Sequence, residues 1–387
     1  MVGAVTTAEA PVKDLDIALF GATGFVGRLV AEYLSRHAPG VRIALAGRSR
    51  DRLEGLRRAI GRQDLEVVVA DVDEPATLAS LARRTRVLMT TVGPFARWGE
   101  PVAQACVAGG AHYLDLTGEP AYVGRLVERY HEAAQDRGVA LVPCCGFDSI
   151  PPDLGAYFTV LQLPEGVPLE VTGTLSGDAR FSGGTLASAL GVIGEARAPE
   201  RRRIDAVAGD GRRVRGAGVR PHYDRGAGLW IVPLPTIDPA IVRRSARLLP
   251  RYGPDFTYRH QLGADLATLA RLGAVAGVAS TGLGRRLLSR LLPPGEGPSA
   301  EVRARSWFRM RFVGRGGGVR VVTEVRGGDP GYDETAKMMS EAALCLALGE
   351  ARPAGGVLTP AAAFGDALLA RLAAAGLAFR VIERGPD

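Results

Sequence analysis

Leu15-Asp16-Ile17-Ala18-Leu19-Phe20-Gly21-Ala22-Thr23-Gly24-Phe25-Val26-Gly27 is the stretch on which the fold turns. An apolar run ends at Phe20, glycines stand at 21, 24 and 27, and an apolar-periodic helical pattern runs from about Gly24 to Arg36. Strand, glycine turn and helix in that order open a βαβ unit of the kind that holds a dinucleotide. Glycine is needed where the chain turns tightly and where a diphosphate must approach main-chain N–H groups that a Cβ would screen. The helix start offers those N–H groups together with the positive end of its dipole. Gly27 lets the helix lie close to the strand. A glycine turn can also serve a purely structural end, but here a second strand follows in order. Gly21, Thr23, Gly24, Phe25, Val26 and Gly27 are therefore the expected phosphate-binding residues.

Outward from that loop, apolar runs and helical patterns alternate. Strands are expected at Leu15–Phe20, Val41–Ala46, Glu66–Ala70, Arg86–Val92, His112–Leu116 and Val139–Pro143. Helices are expected near Gly24–Arg36, Asp51–Ile60, Pro75–Arg83, Glu100–Ala108 and Glu119–Gln135. Continuously apolar strands such as Ile17-Ala18-Leu19-Phe20 suit a parallel sheet covered on both faces. The expected class is α/β, a doubly wound Rossmann domain over residues 14–150 behind a flexible leader at 1–13.

After Pro151-Pro152 the rhythm changes, and a second, mixed α+β domain for substrate or dimerisation is expected over 151–330. It would contain an extended stretch at Leu169–Ser176, a helix from about Gly184 to Arg197, an irregular Arg/Gly-rich region to Gly228, and a hairpin of Arg303–Val313 with Val319–Arg326. Helical patterns at Glu334–Leu348 and Pro360–Ala375 fill 331–387 and are expected to pack back on the first domain.

The second strand ends in Ala46-Gly47-Arg48-Ser49, where an NAD-preferring domain carries an acid for the ribose 2′-hydroxyl. Arg48 and Ser49 instead offer a guanidinium fork and a hydroxyl to a 2′-phosphate, which points to NADPH. The plain alternative for Arg48 is a solvated charge at a helix start. Asp71, with Val72 beside it, ends the third strand where it can reach the adenine edge, or it caps the next helix. Gly93, Pro94 and Phe95 end the fourth strand and border the nicotinamide end of the crevice, a place where ordinary turns use the same residues.

The chain of 387 residues carries a net charge of +7, with excess Arg at 201–203, 212–213, 243–244 and 285–286. No basic patch interleaved with aromatics and no zinc or helix-turn-helix pattern accompanies that charge, so no nucleic-acid partner is expected. Cys106, Cys144, Cys145 and Cys345 lack the spacing of a disulfide framework or zinc site, and the five histidines lack ligand spacing, so no metal is expected. With no secretory signal at the N-terminus, a cytoplasmic protein is expected. The run Leu266 to Leu292, interrupted by Arg271, Arg285, Arg286 and Arg290, is too charged to span a bilayer. It reads either as a helix lying on a membrane surface at the inner face, or holding a lipid-like substrate, or as an amphipathic helix packed on its own core.

Taken together, Gly21–Gly27, Ala46-Gly-Arg-Ser49, Val92-Gly-Pro-Phe95, His112-Tyr-Leu-Asp-Leu-Thr-Gly-Glu119, Cys145-Gly-Phe-Asp-Ser-Ile-Pro151, Ser182-Gly-Gly-Thr185, Gly331-Tyr332 with Thr335-Ala336, and Gly356-Val-Leu-Thr-Pro-Ala361 carry a family resemblance. The chain resembles the saccharopine dehydrogenase-like oxidoreductases, most closely the actinobacterial trans-acting enoyl reductases. That resemblance implies an NADPH-dependent reduction of a carbon–carbon double bond in an α,β-unsaturated thioester. The acyl chain would be carried by a polyketide synthase partner without its own enoyl reductase domain, in lipid or glycolipid assembly at the membrane. Residues from about 197 to 251 carry no recognisable motif of that family.

Enoyl reduction needs hydride delivery, a donor to the enolate oxygen and a proton for the α-carbon, most of which orientation and preorganised donors supply. Asp148, with Ser149, follows the sixth strand and faces the substrate or caps the next helix. Tyr332 and Lys337 begin a helix expected to return to the cofactor domain and are candidate donors to the enolate. His112 reads as structural, and Cys145 is reactive only if its thiol is acidified. Two other readings stay open: C–N oxidoreduction of an amino acid conjugate such as saccharopine, and a non-catalytic NADPH-binding partner protein. Homodimerisation is compatible with either.

Overall fold

The structure, a computed structural model, describes residues 13–177, 204, 211–279, 281 and 297–387. Most of the expected leader, the expected helix at 184–197 and the Ser182–Thr185 motif lie outside the described residues.

The first half alternates strand and helix: β1 (Leu15–Phe20), α1 (Phe25–His37), β2 (Ile43–Gly47), α2 (Arg50–Ile60), β3 (Glu66–Val69), α3 (Pro75–Arg84), β4 (Thr85–Thr90), α4 (Phe95–Gly109), β5 (His112–Asp115), α5 (Pro120–Asp136) and β6 (Ala140–Val142). α6 (Ile150–Leu161) follows and leads to a second sheet. That sheet is built from β7 (Leu169–Gly177), β8 (Arg213–Gly216), β9 (His222–Asp224), β10 (Leu229–Pro233), β11 (Asp255–Ala264), β12 (Phe308–Gly316), β13 (Val319–Gly327) and β15 (Ala378–Pro386). Between and after them stand α7 (Asp238–Leu248), α8 (Leu266–Ala279), α9 (Ala300–Arg305), α10 (Asp333–Ala347), β14 (Gly356–Val357) and α11 (Pro360–Ala374).

The first sheet runs β14-β6-β5-β4-β1-β2-β3, and every pairing in it is parallel. Strand order reverses at β1, so loops after β1 and β4 flank a crevice at the carboxyl edge. Alternate side chains face opposite sides. Ile17, Leu19, Ile43, Leu45, Val87 and Met89 pack with α1, α2 and α10, while Ala18, Phe20, Ala44, Leu88 and Tyr113 pack with α3, α4 and α5. The class expected from the sequence is the class observed: a doubly wound parallel sheet beside a mixed one. In the second sheet β7 and β8 run parallel to β11, and the remaining pairs are antiparallel.

Most expected elements are met to within one or two residues at either end, and four departures are larger. α4 begins at Phe95 rather than Glu100. Pro101 reads as a first-turn residue, yet the helix extends upstream because the Glu119 carboxylate accepts the amides of Phe95 and Ala96, each at 2.8 Å. The region to Gly228 is not wholly irregular: Val214 is buried between exposed Arg213 and Arg215, an alternation just long enough for β8 to pair with β11. The hairpin starts at Phe308, because Ser299 caps α9 over 300–305, and it turns at Gly317-Gly318, both at positive φ (59° and 75°), as a two-residue turn requires. Residues 331–387 contain strands as well as helices, with β14 joining the first sheet and β15 the second.

Candidate functional site

The glycine loop forms a backbone cradle. Gly21 sits at φ +88°, a region open to glycine, and a Cβ there would come within 2.7 Å of the Val92 side chain and 2.8 Å of the Thr91 hydroxyl. A Cβ on Gly27 would overlap the Gly21 carbonyl oxygen, so only glycine lets α1 lie this close to the loop. Gly24 occupies the N-cap position with no side chain to satisfy the first turn. The amides of Phe25, Val26 and Gly27 consequently have no hydrogen-bond partner among the described residues. A cradle that any Cβ would fill, with free amides at a helix start, fits a dinucleotide diphosphate.

The rest of the expected cofactor set lies along the same carboxyl edge. Arg48, one residue past β2, is exposed and makes no ion pair or hydrogen bond with the described residues, so its guanidinium is available to a 2′-phosphate. Ser49 is the N-cap of α2, where its hydroxyl accepts the Arg52 amide at 3.4 Å. Asp71 closes an Asx turn on the Asp73 amide at 3.2 Å rather than capping α3, and Val72 is half-buried beside it. Pro94 is the N-cap of α4, Phe95 is buried beneath it, and a Cβ on Gly93 would meet only ordinary contacts.

Opposite the cradle, the loop after β6 is pinned from below. Asp115 accepts the Tyr113 hydroxyl at 2.7 Å and the amides of Thr117 and Cys144 at 2.9 and 3.0 Å, while its own carbonyl accepts the Cys145 amide at 2.7 Å. These bonds hold Cys144 at φ 63°, outside the comfortable range of a non-glycine residue. The chain then turns so close to α10 that a Cβ on Gly146 would come within 3.2 Å of the Thr335 side chain, whose hydroxyl accepts the Phe147 amide at 3.1 Å. Asp148 and Ser149 thus reach the rim at the start of α6, and neither caps that helix through its side chain.

Asp148 is half-buried and makes no hydrogen bond with the described residues. Burial and then the neighbouring Asp238 push its carboxyl up to about 7. Asp238, buried at the start of α7, behaves oppositely. Burial raises it, but the close approach of the His260 imidazole, helped by the Thr236 hydroxyl, outweighs that and holds the carboxyl below the usual range. The Thr236 hydroxyl donates to Asp238 Oδ2 at 2.6 Å, His260 Nε2 stands 3.4 Å from the same oxygen, and the Tyr258 hydroxyl lies 3.1 Å from His260 Nδ1. Behind them Asp153 accepts the Ala361 amide at 2.8 Å and the Ser245 hydroxyl, fastening α6 to α7 and α11.

Tyr332 packs edge-on against Phe25 of the glycine loop, with ring centroids 4.8 Å apart, and the Arg303 guanidinium lies over the same ring at 5.6 Å. Lys337, one turn along α10, is ion-paired to buried Glu334 at 2.9 Å. The structure therefore brings Tyr332 to the cradle, Asp148 to the facing loop, and commits the Lys337 ammonium to an internal partner. Burial raises the Cys145 thiol well above its ordinary range, which removes it as a nucleophile. His112 has its basicity lowered chiefly by burial and accepts the Ala140 amide at 3.0 Å, a structural part. Among the described residues no group of His, Cys, Asp and Glu could hold a metal ion.

Asp238 and His260 were missed in the sequence. Thr236-Ile237-Asp238-Pro239 reads as a helix start, and only the inward alternation Phe256, Tyr258, His260 in β11 marks a histidine on an otherwise apolar face.

Residues 17–142 match the family described as the saccharopine dehydrogenase NADP binding domain. With the cradle and the exposed Arg48, that match defines the class: this is an NADP-dependent oxidoreductase. The fold is that of a saccharopine dehydrogenase from Saccharomyces cerevisiae, with a TM-score of 0.58 at 12% identity over 95% of this chain and 99% of the other. Proteins named trans-acting enoyl reductase from Mycobacterium tuberculosis and Mycobacterium ulcerans are 37% and 36% identical, each across 94% of this chain and 97% of their own length. A further Mycobacterium tuberculosis relative is 40% identical over 95% of this chain and 97% of its own. The chain belongs to the trans-acting enoyl reductase family.

Proposed function

We propose that this enzyme reduces the carbon–carbon double bond of an α,β-unsaturated acyl thioester presented by a polyketide synthase, within the assembly of a lipid or glycolipid. The observation that carries the reading is similarity to named enoyl reductases along almost the whole chain, second sheet included. NADPH, when bound, supplies the hydride. Gly21, Thr23, Gly24, Phe25, Val26 and Gly27 hold the diphosphate on backbone amides, Arg48 and Ser49 receive the 2′-phosphate, Asp71 and Val72 border the adenine, and Gly93, Pro94 and Phe95 border the nicotinamide.

Asp148 holds a proton at its carboxyl near neutral pH and is the proposed donor to the α-carbon. Tyr332, fixed against Phe25, is the proposed hydrogen-bond donor to the thioester oxygen. Lys337 acts through Glu334, which also accepts the Gly328 amide at 3.0 Å and so steadies the turn before Tyr332. The test follows the nicotinamide absorbance, with NADPH and a crotonyl-type thioester in one arm and NADP+ and saccharopine in the other, because saccharopine is a secondary amine that can only give up hydride to the oxidised nucleotide. Turnover with the thioester alone is expected. Turnover with saccharopine alone overturns the reading in favour of C–N chemistry, and tight NADPH binding without turnover in either arm returns the chain to a binding role.

A further inference from the structure

In the middle of β7 stands a glycine that the strand itself does not need. Gly173 lies directly opposite His260 in the parallel pair with β11, and a Cβ there would come within 2.7 Å of the Tyr258 hydroxyl and 2.8 Å of Met310 Cε. Glycine weakens a strand interior and marks a place where another group approaches closely. Here that group is the tip of Tyr258.

Tyr258 is 1% exposed, and its ring stacks on Phe256 with centroids 6.5 Å apart. The hydroxyl has one hydrogen-bond partner among the described residues, His260 Nδ1 at 3.1 Å. A buried O–H needs an acceptor, and Nδ1 is the acceptor it has. Nδ1 therefore carries no hydrogen, and a neutral imidazole then has its single N–H at Nε2, the nitrogen 3.4 Å from Asp238 Oδ2. In the reversed tautomer the phenol hydrogen would have nowhere to go, and Nε2 would turn a lone pair on the carboxylate. A doubly protonated ring would strand the phenol hydrogen in the same way. The other titratable groups about the pair are Asp148 before α6, Asp153 on α6, Cys144 in the loop after β6 and Tyr252 ahead of β11. None of these four is a cation. Arg259, between the two residues in sequence, points to the other face of the strand and pairs with Glu170.

We propose that Tyr258 is a positioning residue of the reaction: by donating to His260 Nδ1 it fixes the neutral imidazole with its hydrogen on Nε2, so that an N–H and not a lone pair faces the Asp238 carboxylate behind Asp148. Tyr258 touches neither cofactor nor substrate and acts through His260 and Asp238 in turn. Its kinetic effect rests on the reading of Asp148 as proton donor, whereas the tautomer itself does not depend on what is reduced.

The test is nitrogen NMR of the full chain, labelled in its five histidines and free of substrate. His260→Gln identifies the His260 signals by their disappearance. His112 and His131, whose Nδ1 atoms accept the amides of Ala140 and Val357 at 3.0 Å, are internal standards for a ring with its hydrogen on Nε2. His260 is expected to show their pattern in wild type and a mixture of both tautomers in Tyr258→Phe. That variant should keep KM and NADPH affinity, which reports that it is folded, and lower kcat near neutral pH about fivefold, as the loss of one hydrogen bond typically does. Its alkaline limb should move to lower pH, because Asp238 without the N–H takes up a proton more readily and presses less on Asp148. A hydrogen on Nδ1, or on both nitrogens, in wild type overturns the proposal and needs no variant to be seen. An unchanged His260 pattern or an unmoved pH limb in Tyr258→Phe overturns it too. If the tautomer is as expected but the thioester is not reduced, the reaction assigned above fails and takes the role of Tyr258 in it along, whereas a wrong tautomer leaves that reaction standing.

Discussion

The two walls of the crevice are made in opposite ways. The cofactor wall consists of backbone: seven consecutive residues from Gly21 to Gly27, a turn that only glycine tolerates, and amides left free by a helix start without a side-chain cap. The facing side consists of side chains gathered from distant places: Asp148 before α6, with buried Asp238 at the start of α7 and His260 on β11 behind it, while Tyr332 before α10 packs on Phe25 of the cradle itself. A backbone cradle binds a group that never varies and asks nothing of protonation. A side-chain wall can tune a proton, and here one carboxyl is held anionic by a histidine so that its neighbour keeps its proton.

Each wall can be broken separately. The largest effect is expected on the side-chain wall: Asp148→Asn should lower kcat about 100-fold or more while leaving NADPH affinity unchanged, read by steady-state kinetics beside a binding titration. An equal loss of affinity would place Asp148 on the cofactor wall instead. Next comes the cradle. Gly27→Ala forces α1 off the Gly21 carbonyl and should weaken NADPH binding about tenfold or more, measured calorimetrically, with kcat at saturating cofactor retained.

Arg48→Ala sharpens the same wall. It should weaken NADPH by about tenfold and NADH hardly at all, because only NADPH carries the 2′-phosphate. Equal losses for both nucleotides would show that Arg48 does not read that phosphate. The smallest expected change is a displacement along the pH axis. A carboxyl raised to about 7 keeps its proton below that pH and loses it above, so activity should fall as pH rises through about 7. The groups that set this are Asp238 on α7 and, through it, His260 on β11. Asp238→Asn removes the negative neighbour, lowers the Asp148 pKa and should move the alkaline limb to lower pH. A limb that stays in place means another group carries the proton.

The contrast between the walls also explains what the sequence could reveal. β1 was legible to the residue, and the cradle with it, since the glycine spacing and the strand before it are local and the reasons for them are steric. Arg48 stands out in the sequence because the acid that commonly stands there is replaced, and the structure adds that the residue is exposed. The start of α4 was not legible, because the groups that extend it are the Glu119 oxygens, supplied by another segment. Asp238 and His260 escaped for the same reason: each looks like a helix start or a core position on its own element, and only the approach of α7 and β11 to the loop after β6 makes them a pair.

The two-residue strand β14 has a consequence for biosynthesis. Gly356 and Val357 complete the parallel sheet beside Ala140 and Leu141, and the Val357 carbonyl is held by Arg244 at 2.7 Å. Everything in the second sheet except β15 is made between these two pairing partners. As the chain leaves the ribosome, the nucleotide-binding half must wait with an open edge beside β6 until the rest has emerged, so a fragment ending after α6 would expose that edge to other chains rather than fold as a free-standing nucleotide binder.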